Sequence, residues 1–132
     1  MDKIANLISS LKNATMAGKS SVETGLFKQG KEILEVFKSK GLIKGLKVFK
    51  DEESGFKGMH IDLVDLNGAV RKLETVRLSK PGRRVYSDFK KLLKVKNGLG
   101  VLVVSTSRGM MGGEEARKKK LGGELICKAH FI

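Results

Sequence analysis

VLVVSTSRG, at residues 101–109, joins an unbroken apolar run to three hydroxyls, an arginine and a glycine. Four consecutive aliphatic residues next to turn-forming residues predict a buried strand over residues 101–104. This strand delivers three hydroxyls and the guanidinium of Arg108 to one edge of a sheet. Such groups bind phosphate and sugar oxygens, so the stretch favours an RNA-binding surface.

The segments around this strand predict a mostly β C-terminal half. Residues 69–78 alternate as a strand, and residues 124–132 are predicted to form the last strand of the chain. Two short helical segments are predicted, one over residues 87–93 and one over residues 114–121. The alternation over residues 69–78 assigns Val70, Val76 and Leu78 to one face and Arg71, Leu73 and Arg77 to the other.

The N-terminal half predicts a helix, a strand, a second helix and a hairpin. Asp2 can cap a first helix that has apolar residues at helical spacing, and Gly18 ends it. A short strand over residues 20–23 leads to the second helix, which ends at Gly41. Two strands joined by a turn follow, over residues 46–50 and residues 58–64.

A domain boundary is predicted near Asn67-Gly68. Both turn positions of a two-residue hairpin need positive φ, and these two residues tolerate it. We therefore predict an α+β fold of two small domains. Residues 1–66 form the N-terminal helix-strand-helix-hairpin unit, and residues 67–132 form a basic, mostly β domain with one or two short helices.

The net charge of +13 is concentrated in the second half of the chain. Residues 1–65 carry 11 basic and 9 acidic side chains, whereas residues 66–132 carry 16 and 5. All six arginines lie in the second half, and their planar guanidinium matches phosphate geometry better than the point charge of lysine does. This distribution favours a nucleic-acid partner, although an excess of lysine alone is also typical of a solvated surface.

Cys127 is the only cysteine, so the sequence excludes a disulfide scaffold and indicates a reducing compartment. The N-terminal segment has no uninterrupted apolar run, and no stretch approaches the roughly 18 apolar residues of a membrane span. We therefore expect a cytoplasmic protein that has no membrane partner.

Three kinds of site chemistry have little support. Residues 13–20 resemble a phosphate-binding loop, but Asn13 replaces its first glycine and the segment leads from a helix to a strand. Catalysis by a serine nucleophile needs a base, and the two histidines, His60 and His130, fall in strand segments where a structural role is more common. One cysteine and two distant histidines give no metal-ligand spacing. We predict no enzyme activity, cofactor, metal or small-molecule substrate.

Three segments could form the candidate RNA-binding surface. The hydroxyl-rich loop after residue 104 has an alternative interpretation, a turn held by local hydrogen bonds of serine and threonine. Residues 80–86 predict a turn that presents two arginines and the only tyrosine, and a solvated charged loop is the alternative. Residues 118–120 are the third and weaker segment, for which a solvated helix end is the favoured interpretation, so the named contacts come from the first two. The candidate contacts from the two segments are Ser105, Thr106, Ser107, Arg108, Lys80, Arg83, Arg84 and Tyr86.

The low aromatic content helps to decide whether a single-stranded or a folded RNA is the expected ligand. Modules that read single strands stack bases on several aromatic rings, and this chain has no tryptophan and one tyrosine. The predicted strand over residues 101–104 contains no aromatic side chain. A folded RNA, recognised through its backbone and shape, is therefore the expected ligand.

Several uncommon segments follow one another along the chain: SKPGRRVY at residues 79–86, NGLG at 97–100, VVSTSRGMM at 103–111, EAR at 115–117 and GGELIC at 122–127. DKIANLISSLKNA near the start, and Lys28 with the ILEVFKSKGLI that follows it, are weaker matches. Together, over essentially the whole length, these segments resemble one known family, the eighth protein of the small ribosomal subunit, bacterial type.

The resemblance implies a two-domain α+β protein that binds a helical region in the central domain of small-subunit ribosomal RNA and helps its assembly. It implies neighbouring small-subunit proteins as partners and, in bacteria, repression of translation through binding of the protein's own messenger RNA. The expected location is the ribosome, in the cytoplasm or in an organelle. The RNA contacts that the resemblance implies are Ser105, Thr106, Ser107, Tyr86, Gly123 and Glu124, with Asn13 and Lys28 from the N-terminal half.

A second interpretation of the same surface is a free-standing basic regulator or RNA chaperone that acts outside the ribosome. An enzyme is the third class, and the sequence offers it no base near a nucleophile. The sequence therefore favours a non-enzymatic ribosomal protein.

Overall fold

The computed structural model describes residues 2–92 and 100–132. Helix α1, Lys3–Met16, begins the fold, and its first N–H groups need acceptors outside the helix. The carboxylate of Asp2 accepts a hydrogen bond from the Ala5 N–H at 3.2 Å, which confirms the predicted cap. Gly18 follows the helix with a φ of +75°, a conformation in which glycine commonly ends helices.

A three-stranded antiparallel sheet and a second helix complete the N-terminal half. The elements are β1 (Ser21–Gly25), helix α2 (Lys28–Ser39), β2 (Ile43–Lys50) and β3 (Lys57–Leu63). The strands lie in the order β1-β3-β2. The predicted order of helix, strand, helix and hairpin is confirmed, and Gly41 ends α2 as expected with a φ of +75°.

A tight hairpin follows the N-terminal sheet. Strand β4 (Asp65–Leu66) pairs with strand β5 (Ala69–Val70). The turn residues Asn67 and Gly68 have φ values of +55° and +81°. Positive φ at both positions is what a two-residue hairpin requires, so this prediction is confirmed.

The C-terminal half is built on a five-stranded sheet. Its strands are β6 (Leu73–Arg77), β7 (Tyr86–Ser87), β8 (Gly100–Thr106), β9 (Gly109–Gly112) and β10 (Gly123–Phe131). They lie in the order β6-β10-β8-β9, and β7 pairs with the first residues of β10. A 3₁₀ turn, Phe89–Lys91, and helix α3, Gly113–Lys118, are the other elements of this half. The α+β class is confirmed.

The single strand predicted over residues 69–78 is wrong in extent. The chain leaves the hairpin at Val70, and a separate strand, β6, begins at Leu73. Within β6 the predicted faces are confirmed, because Leu73 is 1% exposed whereas Val76 is 38% exposed. Arg77 shares the core-facing side of the strand with Leu73, so its charge needs a partner there.

The segment after Thr106 also differs from the prediction. Strand β9 follows the loop and pairs with β8, where the sequence indicated only a loop before a helix. Its sequence, GMMG, contains no β-branched residue, so it carries little strand signal. Helix α3 ends at Lys118 instead of residue 121. Over residues 87–92, the described part of the helical segment predicted for 87–93, the 3₁₀ turn is the only helical element. The NGLG segment at residues 97–100, whose glycines and asparagine also predict a turn, lies outside the described residues except for Gly100.

One continuous apolar core lies between the two halves. Buried residues of α1, α2 and β3 pack with buried residues of β8 and β10 in a single cluster, and this core crosses the predicted domain boundary. The division into residues 1–66 and 67–132 stays a prediction. Burial raises the pKa of the Cys127 thiol to about 12, so this thiol stays protonated and packs as an apolar residue. A smaller cluster packs α3 against the opposite face of β8.

Candidate nucleic-acid interface

Three of the predicted site residues form one row across the C-terminal sheet. Glu124 on β10 pairs with Tyr86 on β7 at one side and with Ser105 on β8 at the other. Residues directly opposite each other in antiparallel strands project from the same face with their Cβ atoms about 5 Å apart. Tyr86, Glu124 and Ser105 therefore share one surface, and the ring of Tyr86 is 70% exposed on it.

Thr106 holds the loop that follows Ser105. Its hydroxyl donates to the Gly109 carbonyl at 2.8 Å and accepts from the Arg108 N–H at 3.2 Å. The turn interpretation of this loop therefore applies to Thr106, whose hydroxyl is engaged within the protein. Ser107 and Arg108 are exposed at the tip of the loop, and Ser105 is half-buried.

Close approach of β10 to the end of β8 requires a glycine at position 123. A Cβ on Gly123 would overlap the carbonyl oxygen of Ser105 and would lie 3.2 Å from the Cα of Thr106. These neighbours are backbone atoms, which cannot turn away as the end of a flexible side chain can. The structure therefore gives Gly123 a packing role at the site, whatever contact it makes with RNA.

Ser79 organises the arginine-rich loop from within. Its buried hydroxyl accepts from the Val85 N–H at 2.9 Å and donates to the Val85 carbonyl at 3.1 Å. Lys80 and Arg83 exchange two backbone hydrogen bonds of 2.9 Å across the turn. The loop is thus held at its base and at its tip, and its cationic side chains project into solvent.

Arg84 joins this loop to the row of site residues. Its Nη1 lies 3.2 Å from Oε2 of Glu124, whose side chain is only 19% exposed. The pair holds the guanidinium beside the row while about half of the arginine stays exposed. Lys80 and Arg83 come from the same loop, so the structure places three predicted cations at this edge of the sheet.

A cleft of about 260 Å³ opens between the row and the starts of both long helices. Arg84, Ser105 and Glu124 line it from the C-terminal half, and Gln29 lines it from the first turn of α2. The predicted contact Lys28 is the neighbour of Gln29 in sequence and is exposed. Lys28 itself does not line the cleft and lies next to one of its lining residues.

Asn13 lies outside this cleft. It is exposed near the end of α1 and follows Asn6 and Ser10 at helical spacing. Asn6 and Ser10 line a separate groove between α1 and the connection from β1 to α2. The structure therefore brings the C-terminal candidates together and places Asn13 on a different part of the surface.

Arg77 supports the site, although no such role was predicted from its sequence position. Its side chain, 8% exposed, donates from Nε to Oδ2 of Asp2 at 3.2 Å and from Nη1 to the Ile126 carbonyl at 2.7 Å. Ile126 is the extra residue of a β-bulge in β10. The signal was available, because an arginine on the same face as Leu73 must find partners when that face is buried.

Asp2 connects this arginine to the first helix. Partial burial raises the pKa of Asp2, but the N–H groups of Ala5 and Ile4 and the charge of Arg77 together lower it below its ordinary value. One carboxylate thus caps α1 and neutralises the cation that supports the bulge. The helix start and the strand that carries Glu124 are therefore linked.

The described residues also bear on metal binding and on catalysis by a serine nucleophile. These residues contain no group of three or more His, Cys, Asp or Glu that could hold a metal ion. His60 contacts Glu23 and Asp62, and no serine of the predicted site is among its partners. No helix in residues 2–92 or 100–132 is long and apolar enough to cross a membrane.

A small basic α+β fold that gathers cations and hydroxyls at one sheet edge is typical of ribonucleoprotein components. Comparison with known proteins gives the family. The sequence model described as "Ribosomal protein S8" matches residues 2–130. The chain therefore belongs to the ribosomal protein S8 family, and the predicted family is confirmed.

Individual relatives agree over nearly the whole chain. Small ribosomal subunit protein uS8 of Paracoccus denitrificans is 40% identical over 126 residues, which are 96% of this chain and 95% of that protein. The uS8 protein of Rhodopseudomonas palustris strain BisA53 is 42% identical over 125 residues, 95% and 94% of the two chains. The uS8c protein of Welwitschia mirabilis is 39% identical over 127 residues, 96% and 98%. The predictions of a ribosomal location and of a non-enzymatic protein are confirmed.

Gly123→Ala tests the close approach of β10 to β8. The added methyl group overlaps backbone atoms, so the strands must separate, and we expect a loss of about 1 to 3 kcal/mol in the free energy of unfolding. Urea unfolding at neutral pH measures this change. Gly82→Ala is the matched control, because a Cβ there meets nothing within 4 Å. Equal stability of the two variants would contradict the packing role of Gly123.

Asp2→Asn tests the pair with Arg77, because asparagine caps helices about as well as aspartate but carries no charge. The pKa of Asp2 is lowered in the folded protein, so its stabilisation is present at neutral pH and is lost as the pH falls through the folded value. We expect a loss of about 1 kcal/mol at pH 7 that shrinks towards pH 2.5. Urea unfolding at both pH values provides the measurement.

Asp88→Asn is the matched control for the ion pair, because Asp88 is exposed and has no ion-pair partner among the described residues. Its stability should stay within about 0.5 kcal/mol of the unmodified chain at both pH values. A loss in Asp2→Asn that is the same at pH 7 and at pH 2.5 would show that the charge of Asp2 contributes nothing.

Proposed function

We propose that the chain is a structural constituent of the small ribosomal subunit that binds a helical region in the central domain of the small-subunit rRNA and helps the subunit to assemble. The observation that carries the proposal is the row of Tyr86, Glu124 and Ser105 beside an arginine loop. Its partners are then the small-subunit rRNA and neighbouring small-subunit proteins, which fits membership of the ribosomal protein S8 family.

Hydroxyls at the end of β8 suit the minor groove of an RNA helix. Ser105 and Ser107 have no hydrogen-bond partner for their hydroxyls among the described residues, and Ser107 is exposed. A hydroxyl both donates and accepts, so it can pair with the ribose 2′-OH that lines this wide and shallow groove. This contact distinguishes an RNA helix from DNA and requires no base to leave the stack.

The exposed cations supply the attraction to phosphates. Lys80, Arg83 and Arg84 project from one loop, and Arg108 projects from the loop after β8. Arginine binds a phosphate through two parallel hydrogen bonds, so these side chains both attract the backbone and orient it. Because the two loops flank the row, the backbone of one RNA helix can follow both of them.

Glu124 places a carboxylate in the row, where it holds the guanidinium of Arg84. A carboxylate only accepts hydrogen bonds, so an unpaired Glu124 would repel the RNA backbone. Its pair with Arg84 neutralises it and keeps the guanidinium beside Ser105. The ion pair therefore adds no net charge to the row, and the exposed half of the Arg84 guanidinium stays available to a phosphate.

The N-terminal half supplies a second contact in this proposal. Lys28 is exposed at the start of α2, where its neighbour Gln29 lines the cleft that contains Ser105. Asn13 is exposed on α1, on a separate surface. We assign Lys28 to the edge of the main interface and Asn13 to another part of the same rRNA.

Repression of the protein's own messenger RNA is the finer part of the proposal. It needs no further site, because a transcript that folds into a similar helix would meet the same row and loops. The alternative of a free-standing regulator predicts a different distribution in the cell. A ribosomal constituent sediments with small subunits in equal amounts through a high-salt wash, whereas a regulator is released.

Arg83→Ala combined with Arg84→Ala tests the phosphate contacts. Each neutralised phosphate contributes about −0.9 to the slope of log affinity against log salt, taking B-DNA as a guide. We expect the slope for a target helix of the rRNA to become shallower by between about 1 and 2, because Arg84 is partly engaged with Glu124. Filter binding at several salt concentrations between about 50 and 200 mM gives the slope.

Lys50→Ala combined with Lys57→Ala is the matched control for the arginines. These exposed lysines pair across the β2–β3 hairpin, and their replacement removes the same net charge. The control should keep the slope of the unmodified chain. If both double variants change the slope equally, the arginine loop is not at the interface and only net charge matters.

Ser107→Ala tests recognition by the hydroxyl. Loss of one hydrogen bond of about 1 kcal/mol lowers affinity for the target helix roughly fivefold and leaves binding to a generic RNA duplex unchanged. Competition binding with the target helix, a generic duplex and the leader of the chain's own messenger RNA measures all three. If the messenger is a second target, its affinity falls in parallel with that of the rRNA helix.

Ser9→Ala is the control for Ser107→Ala, because Ser9 is an exposed serine on α1. It should leave all three affinities unchanged. If Ser107→Ala lowers the affinity for the target helix and for the generic duplex equally, the hydroxyl has no role in recognition.

A further inference from the structure

The N-terminal sheet has an outer face that points away from the helices. Along β3 the buried residues alternate with His60 and Asp62, which therefore lie on the outer face. Direct pairing places Glu23 of β1 and Lys47 of β2 on either side of His60. We call this surface, together with the loop of residues 51–56, the acidic face.

Two phenylalanine rings lie on a glycine at one end of the acidic face. A Cβ at Gly58 would lie 2.6 Å from Cζ of Phe49 and 2.8 Å from Cε1 of Phe56, so both rings cover this residue. The ring centroids are 6.2 Å apart, with the planes tilted by 56°. Phe56 is 50% exposed, which leaves apolar aromatic surface in water.

Hydrogen bonds within the loop hold Phe56 in place. Its carbonyl accepts from the Asp51 N–H at 2.8 Å, and its own N–H donates to the Ser54 hydroxyl at 3.2 Å. The Gly55 N–H donates to the Asp51 carbonyl at 2.7 Å. The backbone that carries the exposed ring is therefore held by the loop itself, which lowers the entropy lost on binding.

Carboxylates dominate the charge of this surface. Among the described residues it carries one lysine, Lys47, and its histidine lies 3.4 Å from one carboxylate and 3.2 Å from another. Protonation of that histidine would leave the surface net negative. The five carboxylates of the acidic face are Glu23, Asp62, Asp51, Glu52 and Glu53.

The lysines that flank the loop do not outnumber these acids. Lys50 and Lys57 pair with each other, and strand alternation directs them to the opposite face of the sheet from Phe49 and Lys47. Lys44, at the far end of the sheet, lies 3.8 Å from Asp65 and is thus paired with another acid. The acidic face is net negative on a chain whose net charge is +13.

We propose that the acidic face is a docking surface for a protein segment that carries lysine or arginine next to apolar side chains. RNA phosphates are repelled by five carboxylates, whereas a basic segment is attracted by them. The two phenylalanines supply exposed aromatic surface, which is enriched at protein interfaces, and the acids around them supply a charged rim. The proposal rests on the proposed function in one respect, because the partner is expected to be another protein of the small ribosomal subunit.

A photocrosslinker tests the occupant of this surface. The photoreactive amino acid p-benzoylphenylalanine is placed at position 56 of the full chain and, in a second variant, at position 86 in the proposed RNA interface. Small subunits that contain each variant are purified and irradiated, and the products are digested with ribonuclease or protease and mapped by mass spectrometry. We expect position 56 to crosslink to a protein segment containing lysine or arginine and position 86 to crosslink to rRNA.

The crosslinks at the two positions test different proposals. A crosslink from position 56 to RNA, to an acidic protein segment or to nothing overturns the docking proposal. Absence of an RNA crosslink at position 86 counts against the proposed function and leaves the docking proposal to be decided by position 56.

Charge reversal in the loop provides a second measurement. Glu52→Lys combined with Glu53→Lys, in the background with the crosslinker at position 56, should lower the protein-crosslinked fraction about twofold to tenfold, as the loss of two surface ion pairs predicts. Glu32→Lys combined with Glu35→Lys changes the net charge equally on α2 and should leave the fraction unchanged. Equal crosslinked fractions in the two double variants would overturn the role of the carboxylates.

Discussion

The buried guanidinium of Arg77 is the constraint on which the arrangement of the site depends. A cation at the core needs partners for its charge, and it finds the carboxylate of Asp2 and the carbonyl of Ile126. Asp2 is also the cap of α1, and Ile126 is the extra residue of the bulge in β10. The bulge allows Ile126 and its neighbour Cys127 both to enter the core. The position of Glu124, just before the bulge, thus depends on a contact with the second residue of the chain.

Local physical chemistry was enough to predict most of the elements. Asp2 as a cap, Gly18 and Gly41 as helix ends and Asn67-Gly68 as a hairpin each express a conformational preference of one or two residues, and the structure confirms all four. Strand β9 was missed because it forms only by pairing with β8, while its own residues have little strand preference. The single strand predicted over residues 69–78 was wrong for a related reason, because two short strands with different partners follow the same alternating pattern.

The candidate site was likewise predictable where it depends on local sequence, and it was not predictable where it depends on the pairing of distant strands. The sequence indicated that the hydroxyls after β8 and the arginines after residue 80 would be exposed, and Ser107, Arg83 and Arg84 are exposed. It could not show that Tyr86 and Ser105 lie on either side of Glu124, because that row requires three strands to pair. Nor could it separate Thr106, which holds its own loop, from the serines on either side, since all three carry hydroxyls.

The two halves of the chain carry surfaces of opposite charge, and this asymmetry favours one orientation of the protein against an RNA helix. Cations flank the row on the C-terminal sheet, and carboxylates outnumber cations on the acidic face of the N-terminal half, although one apolar core joins both halves. A uniformly basic surface would bind an RNA helix in many orientations, because phosphate attraction carries little directional information. An acidic face on the same rigid core excludes the orientations that bring it towards phosphates, since like charges repel across a Debye length of about 8 Å at physiological salt. In the proposed function the carboxylates therefore favour one orientation of the chain on the RNA helix, and they leave the exposed ring of Phe56 available to a partner of opposite charge.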